Sequence, residues 1–365
     1  MPKKVLFLAN HFITLYSFRK ELIQQLVSEG HEVYLSLPES DENKYFVELG
    51  CKIVPTKIDR RGVNPVKDIF LILSYRRIIR QIKPDIIFSY TIKPNIYGSI
   101  VSNHYGYKQI CNITGTGATF LRDSLVSKIC KVLYSVSIKN CYKVFFQNRG
   151  DQEFFIKNGL VKNNYALIPG SGCNINEFSY TPIVNDGVVR FIYIGRVMQL
   201  KGIDEYLDCA KVIKEKYPNT EFLIAGWNEE EGSKQKVAEY ASKGFVRYLG
   251  FCKNIKEQIA QIQCTILASH GGEGVPNVVL ESAAMGRPCI VSNVNGSVDV
   301  VEDDVTGFIF ETGNSNDLIS KVEKFLSLTE KQKIEMGLAG RAKVEREFNR
   351  QIVINAYIKE LEALA

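Results

Sequence analysis

The chain has 365 residues, 45% of them hydrophobic, and this length exceeds what one ordinary hydrophobic core organises, so we expect about two domains. Its nine cysteines occur singly between Cys51 and Cys289 without a CxxC pair, which argues against a disulfide framework and a structural zinc site. No stretch approaches the ~20 apolar residues of a membrane-spanning helix, and the apolar run from Val5 to Ala9 is too short for a signal peptide, so we expect a cytoplasmic protein.

The net charge of +6 is distributed unevenly along the chain. Between residues 51 and 149, 17 Lys and Arg residues face only four Asp and Glu residues. Such an excess suits an anionic surface or an anionic substrate. We expect no nucleic-acid partner, because no RNA- or DNA-binding motif is visible and the basic residues lie among long apolar helices. An anionic lipid or a diphosphate is therefore the predicted partner of this half of the chain.

Short apolar runs alternate with helical patterns along the whole chain, which indicates parallel sheets covered by helices. Nearly continuous apolar runs are typical of strands buried on both faces. We therefore predict an α/β protein with two doubly wound, Rossmann-like parallel-sheet domains that face a cleft, with ligands beyond the carboxyl ends of the strands. In chain order the predicted strands are KVLFLA (4–9), EVYLSL (32–37), DIIFSY (85–90), KQICNI (108–113), KVFFQ (143–147), RFIYIG (190–195), EFLIAG (221–226), CTILAS (264–269) and PCIVS (288–292).

A break in composition near residues 176 to 188 predicts the linker between the domains, because turn residues are frequent there and periodicity is weak. The predicted N-terminal domain is 1–178 and the second domain is 186–348. Residues 349–365 are amphipathic and predict a helix that packs back across both domains. Within the first domain, residues 65–83 predict a helix with one apolar side and a cluster of arginines toward its end, which suits an anionic membrane surface. Packing of that apolar side on the sheet is the alternative.

The loop after the first strand of the second domain carries two cations. Gly195 and Arg196 close the strand, and Lys201 and Gly202 precede the next helix. The carboxyl edge of a parallel sheet thus holds a forked guanidinium and an ammonium, a pair that can bind a diphosphate. Two solvated loop residues are the alternative for either cation taken alone.

The segment HGGEGVPNVVLESAAMGRP, residues 270–288, predicts a glycine-rich loop that leads into a helix N-terminus. Pro276 suits the first turn, where a missing N–H is harmless, and the helix is predicted to stop at Gly286. The free N–H groups at such a terminus favour phosphate. Glu273 in the loop can accept hydrogen bonds from sugar hydroxyls, and Glu281, ~7.5 Å along the helix, can reach back toward a ribose.

These two motifs together resemble the retaining family 4 glycosyltransferases of the GT-B fold. The matching residues are Glu273 and Glu281 at their eight-residue spacing, and Gly195-Arg196 followed by Lys201-Gly202. The resemblance implies catalytic roles for Arg196, Lys201 and Glu273, with the cations on the leaving diphosphate and Glu273 on the donor sugar. It implies that the donor, favoured as a UDP-sugar, is bound by Gly195, Gly274, Val275, Asn277 and Glu281.

Further stretches extend the resemblance over the whole chain, namely RRGVNP (60–65), YTIKPNIYGS (90–99) and NITGTG (112–117). They are similar to bacterial enzymes that build capsule, O-antigen or glycan precursors on a polyprenyl diphosphate. A hexose or N-acetylhexosamine would then pass to a lipid-diphosphate-linked saccharide, by an enzyme held on the inner face of the cell membrane. The residues expected to bind that acceptor are His11, Arg19, Arg60, Arg61, Lys93, Gly115 and Gly117, with a structural histidine, a tight glycine turn and solvated cations as the alternatives.

We expect neither a metal nor a cofactor, because no Asp-x-Asp pair and no histidine pair with ligand spacing occurs. The leaving phosphate itself would take the proton of the acceptor. The stretch GTGATF lacks the third glycine of a dinucleotide fingerprint and follows a late strand, which disfavours a dehydrogenase. Two other functions remain open: a UDP-sugar epimerase of the same architecture and a non-catalytic sugar-binding protein.

Overall fold

The computed structural model describes residues 1–60, 62, 64–117, 120 and 124–364. They form two compact units, Met1–Ser171 with the segment from Val353 onward, and Gly172–Ile352. Residues 172–178, which we assigned to the first domain, thus belong to the second unit. The backbone explains this difference: the Cys173 N–H donates to the Phe348 carbonyl at 2.7 Å, and the Arg350 N–H donates to the Cys173 carbonyl at 2.9 Å.

The first unit contains a parallel sheet in the order β3-β2-β1-β4-β5-β6-β7. Its strands are β1 (Lys4–Leu8), β2 (Glu32–Leu37), β3 (Lys52–Pro55), β4 (Ile86–Tyr90), β5 (Gln109–Ile113), β6 (Lys143–Phe146) and β7 (Tyr165–Leu167). The order reverses between β1 and β4, which is the point where doubly wound sheets bind ligands. Its helices are α1 (Phe12–Ser28), α2 (Lys44–Glu48), α3 (Pro65–Ile82), α4 (Ile92–Tyr105), α5 (Leu125–Ser137) and α6 (Arg149–Lys157).

Side chains of alternate residues in β1 enter two separate cores on the two faces of this sheet. Val5 and Phe7 pack with α1 and with the C-terminal helix, whereas Leu6 and Leu8 pack with α3, α4 and α5. That C-terminal helix, α14 (Arg350–Glu362), belongs to the first unit from Val353 onward. Its Tyr357 is fully buried and hydrogen-bonds through its hydroxyl to the Asn112 side chain.

The second unit contains a parallel sheet in the order β10-β9-β8-β11-β12-β13. Its strands are β8 (Val189–Ile194), β9 (Thr220–Ala225), β10 (Arg247–Gly250), β11 (Cys264–Leu267), β12 (Cys289–Ser292) and β13 (Gly307–Phe310). The prediction of two doubly wound parallel-sheet domains is therefore confirmed. Its helices are α7 (Ile203–Lys216), α8 (Glu231–Ser242), α9 (Ile255–Ala260), α10 (Asn277–Ala284), α11 (Ser297–Val300), α12 (Ser315–Ser327) and α13 (Glu330–Glu347).

Glycine is required where the loop after β8 passes the loop after β11. Gly202 has φ +72°, and a Cβ at this position would lie 1.9 Å from the Ala268 carbonyl oxygen. Any side chain there would push the two loops apart. The close approach brings the residues that follow β8 next to the residues that follow β11 at one edge of the sheet.

Candidate functional site

Arg196 lies two residues beyond the end of β8 and is held by its backbone rather than by its side chain. The Tyr193 hydroxyl donates to the Arg196 carbonyl at 2.6 Å. The guanidinium is 37% exposed, and its Nη1 lies 3.8 Å from Oε1 of Glu229. This long contact leaves the guanidinium accessible to a ligand at the carboxyl edge of the sheet.

Lys201 and Glu273 form an ion pair across the two loops. Lys201 ends a short 3-10 helix, Gln199–Lys201, and its Nζ lies 2.6 Å from Oε1 of Glu273. Both side chains are mostly buried, at 16% and 21% exposure. Two residues that the sequence assigned to different parts of a ligand are therefore neighbours, and each restricts the position of the other.

Helix α10 begins at Asn277, and Gly286 lies just beyond its end, as predicted. Pro276 is its N-cap residue, and no side-chain hydrogen bond caps its first turn in the described part of the chain. The Asn277 side-chain oxygen is buried there without a hydrogen-bond partner among the described residues. Buried Val275 anchors the preceding loop in the core, and the Gly274 carbonyl approaches the backbone of Gly296 too closely for a side chain there. The N–H groups of α10 are thus available to an anion.

Glu281 lies in the middle of α10 and is partly buried. Burial raises the pKa of its carboxyl group to about 7, a shift that the positive charge of Arg350 opposes and the negative charge of Glu177 reinforces. An ordinary exposed helix glutamate, the alternative considered from the sequence, would not show this shift. Glu281 is therefore a carboxyl group that changes its charge near neutral pH.

Sequence reasoning missed two features beside these residues. His270 Nε2 lies 2.8 Å from Oε1 of Glu205, which is mostly buried in α7, so the pair fixes the start of the glycine-rich loop.

Trp227 and Phe251 are exposed at the ends of β9 and β10, with ring centroids 5.8 Å apart. The Trp227 Nε1–H donates at 3.1 Å to Glu229, the partner of Arg196. An exposed aromatic residue directly after a strand-ending glycine, as in AGW and LGF, is the signal that identifies this ring pair in the sequence.

In the first unit the predicted acceptor residues have different environments. His11 caps α1 by accepting from the Ile13 N–H at 3.1 Å; burial and then the charge of Arg60 lower the pKa of its imidazole, while Glu42 opposes them. Lys93 forms a mostly buried ion pair with Asp68 at 2.7 Å. The backbones of Gly115 and Gly117 are left-handed, at φ +120° and +64°. Arg61 lies outside the described residues.

Arg19 requires a correction, because its side chain lies in the core. It is 2% exposed, with its guanidinium carbon 5.0 Å from the centroid of the Tyr90 ring and 5.5 Å from that of Tyr357. Its Nη1 donates to the Phe18 carbonyl at 2.6 Å. An arginine enclosed between two tyrosine rings stabilises the packing of α1 and α14 and is not available to an acceptor.

Two further features are absent from the part of the chain that the structure describes. No group of three or more His, Cys, Asp and Glu side chains in this part of the chain is arranged to hold a metal ion. Among the same residues, no helix is both long enough and apolar enough to cross a bilayer.

Comparison with known proteins identifies the family. Residues 4–148 match the family described as glycosyl transferase 4-like, and residues 181–341 match the family described as glycosyl transferases group 1. The N,N'-diacetylbacillosaminyl-diphospho-undecaprenol alpha-1,3-N-acetylgalactosaminyltransferase of Campylobacter jejuni is 24% identical over 97% of this chain and 96% of its own length. The UDP-Gal:alpha-D-GlcNAc-diphosphoundecaprenol alpha-1,3-galactosyltransferase of Escherichia coli is 24% identical over 79% and 78%.

A solved structure has the same fold as this chain. The crystal structure of HepE from Anabaena, in complex with UDP and glucose, superposes with a TM-score of 0.79 at 16% identity and covers the full length of both chains. The matched families cover six of the seven strands of the first sheet and the whole second sheet, which carries the Arg196, Lys201, Glu273 and Glu281 motifs. The chain is therefore a glycosyltransferase of the GT-B fold, built from a glycosyl transferase 4-like domain and a glycosyl transferases group 1 domain.

Proposed function

We propose that the protein transfers a hexose or N-acetylhexosamine from a UDP-sugar to a saccharide linked to a polyprenyl diphosphate, in the synthesis of a bacterial surface polysaccharide or glycan. The arrangement of Arg196, the Lys201–Glu273 pair and the uncapped N-terminus of α10 at one sheet edge carries this proposal. The names of the relatives support the lipid-diphosphate acceptor, and one of those names includes a UDP-sugar.

The site supports a transfer in which the protein neutralises the leaving group. Arg196, Lys201 and the N–H groups of α10 stabilise the negative charge that develops on UDP as the bond from the sugar C1 to the diphosphate oxygen breaks. The acceptor hydroxyl oxygen bonds to C1 from the same face, and its proton passes to an oxygen of the leaving phosphate. The configuration at C1 is thereby retained without a protein base. Two cations and a helix terminus supply the positive charge, so we expect activity to persist after treatment with EDTA.

The experiment that tests the proposal combines the purified protein, a UDP-sugar and a synthetic polyprenyl-diphosphate-linked saccharide. Mass spectrometry of the lipid product would detect addition of one sugar, and NMR of its new anomeric centre would report retention. Conversion of one UDP-sugar into another without acceptor would instead support an epimerase. Tight sugar binding with no chemical change would support a binding protein.

We predict different roles for the two glutamates of the donor site. Glu281→Ala should weaken UDP-sugar and free UDP alike, because the ribose that it is proposed to contact is present in both. Glu273→Ala should weaken the UDP-sugar and lower kcat while sparing free UDP. Loss of one hydrogen bond to a charged group should raise each affected dissociation constant roughly tenfold, and kcat should fall by a similar factor. Calorimetry with both ligands measures this, and equal effects of the two substitutions on free UDP would contradict the division of roles.

We also predict that binding of the UDP-sugar depends on pH through Glu281. Its carboxyl group has a pKa of about 7 in the free protein, so protonation removes the negative charge that strengthens the hydrogen bonds from the ribose hydroxyls. Affinity should therefore rise as the pH increases through this value, and Glu281→Gln should bind weakly with a flat profile. A UDP-sugar is a suitable probe because both of its phosphates are esterified. The ligand therefore does not change its own charge near the pKa of Glu281. The same pH dependence in Glu281→Gln would assign the effect to another group.

At the acceptor end, we propose that the first unit binds the lipid-linked saccharide on the cytoplasmic face of the membrane. His11 and Arg60 lie close enough for the charge of Arg60 to affect the imidazole, and His11 follows β1, beside the point where the sheet order reverses. The excess of basic residues between 51 and 149 supports an anionic membrane surface as a further partner.

A further inference from the structure

One side of α3 presents apolar side chains to solvent although the helix already has a buried apolar side. Its exposed side chains are spaced as one stripe along the first half of the helix and are between 49% and 66% exposed: Val66, Ile69, Phe70 and Leu73. The opposite side enters the core through Leu71, Tyr75, Ile78, Ile79 and Ile82. Packing on the sheet therefore does not account for the exposed stripe.

Helix α5 has a similar stripe along its whole length. Its exposed apolar side chains are between 43% and 74% exposed: Leu125, Val126, Ile129, Val132 and Val136. The other side of α5 is buried through Ser127, Tyr134 and Ser137.

The two stripes lie on the same side of the first unit. Leu71 of α3, Ile96 of α4 and Tyr134 of α5 belong to one core cluster on one face of the sheet. Helix α4 contacts both α3 and α5, so it lies between them. The solvent-facing sides of α3 and α5 must then point away from the same sheet face. We call the exposed apolar residues of these two helices the α3/α5 surface.

Basic residues accompany the apolar ones. The stripe of α3 continues in Arg76, Arg77 and Arg80, all exposed. Tyr105 orders two of them: the Arg76 Nε–H donates to its hydroxyl at 2.6 Å, and the Arg80 guanidinium carbon lies 5.6 Å from its ring centroid. The acidic residue of α3, Asp68, pairs with Lys93 and Tyr97 at the helix side that packs on α4. On α5, Lys128 and Lys131 add two more cations.

We propose that the α3/α5 surface docks on an anionic lipid bilayer, with the aliphatic side chains inserted at the level of the headgroups. Apolar residues with a basic fringe are the pattern of helices that lie in a membrane interface. A second copy of the chain is a poorer occupant, because a two-fold contact would enclose both copies of the Arg76, Arg77 and Arg80 cluster in one interface, and neither α3 nor α5 exposes an acidic residue to pair with them. The docking rests on the proposed function only for its purpose, which is to collect a lipid-linked acceptor; the binding itself needs no acceptor.

Flotation with lipid vesicles tests the proposal. The full chain should float with vesicles of phosphatidylcholine mixed with phosphatidylglycerol, float poorly with phosphatidylcholine alone, and be released by high salt. Arg77→Glu/Arg80→Glu should lower the partition coefficient by at least about 25-fold, because removing one cation near an anionic surface costs about fivefold. Ile129→Ser/Val132→Ser should also lower it, by the loss of inserted apolar surface.

Matched controls separate this surface from general charge and hydrophobicity. Lys44→Glu/Lys157→Glu makes the same change of net charge at exposed positions elsewhere in the first unit, and Val212→Ser/Leu338→Ser removes exposed apolar side chains in the second unit. Both controls should float like the wild type. All four variants should retain transfer to a short-chain, water-soluble acceptor.

Equal flotation of the α3/α5 variants and the controls would overturn the proposal, as would absence of flotation with anionic vesicles. Dimerisation lost in Ile129→Ser/Val132→Ser, without vesicle binding, would assign the surface to a second copy instead. Because flotation uses no turnover, its failure leaves the proposed transfer untouched. Conversely, a protein that floats and shows no transfer would contradict the proposed function alone.

Discussion

Arg196→Ala and Lys201→Ala should each lower kcat by about two to three powers of ten, the usual loss when a group that stabilises developing charge is removed. Both cations face the position proposed for the leaving diphosphate, and their charge matters most as the bond to the sugar breaks. KM for the UDP-sugar should change less than kcat, because the effect is largest in the transition state. Steady-state kinetics with a saturating acceptor measure both constants.

A control for loss of charge is Lys216→Ala. Lys216 is a lysine of the same unit, 60% exposed, in an ion pair with Glu323 at the far end of α7. The Lys216→Ala variant should retain the wild-type kcat, because loss of an exposed ion pair changes stability little. Near-normal kcat in Arg196→Ala and Lys201→Ala, with the fold intact by circular dichroism, would show that the diphosphate does not bind between these loops.

Lys201 and Glu273 should be coupled in their effect on catalysis. Because Nζ and Oε1 lie 2.6 Å apart, the effects of Lys201→Ala and Glu273→Ala should not add. The double variant should lose less kcat than the product of the single losses, since each single change already removes the contact that orients the other side chain in the transition state. Additive losses would mean that neither side chain depends on this contact.

The sequence predicted the central strands of both sheets and missed those at the edges. The strands it did not predict are β3, β7, β10 and β13, which are the outermost strands of the two described sheets. A central parallel strand is covered on both faces and needs a continuous apolar run. An edge strand such as β3, KIVP, has exposed ends and is only partly buried, so its composition resembles that of a loop.

The candidate site was predictable where its motifs are local and unpredictable where it depends on long-range contacts. The helix that begins after Pro276 follows from proline, glycine and apolar spacing within one segment. The burial of Arg19 depends on Tyr90 and on Tyr357, which arrives from the far end of the chain. The His270–Glu205 contact likewise joins two elements that are adjacent only in the folded sheet. No pattern within one segment encodes such pairs.

Arg287→Met should destabilise the second unit by about 3–5 kcal/mol, because several buried oxygens lose a charged donor and each such loss costs about 1–3 kcal/mol before the site relaxes. Arg287 is 0% exposed, and burial lowers the pKa of its guanidinium to about 10, so the side chain remains charged at neutral pH. Its nitrogens donate to oxygens in three separate segments, and methionine would fill much of the space while leaving those oxygens unpaired. The acceptors are the carbonyl oxygens of Ile259, Ala260, Thr181, Pro182 and Met285 and the hydroxyl of Thr181.

Urea unfolding followed by tryptophan fluorescence measures this loss in the relevant unit, because Trp227 is the single tryptophan of the chain. Arg346→Met is the matched control: that arginine is 64% exposed in α13, and its loss should change the free energy of unfolding by less than ~0.5 kcal/mol. Arg287→Lys should fall between the two, since an ammonium keeps the charge but cannot reach oxygens that lie on different sides of the guanidinium plane. An unfolding midpoint in Arg287→Met equal to that of the control would mean that water replaces the guanidinium at these oxygens. In that case packing alone would hold the segment at residues 181–182 against the second unit.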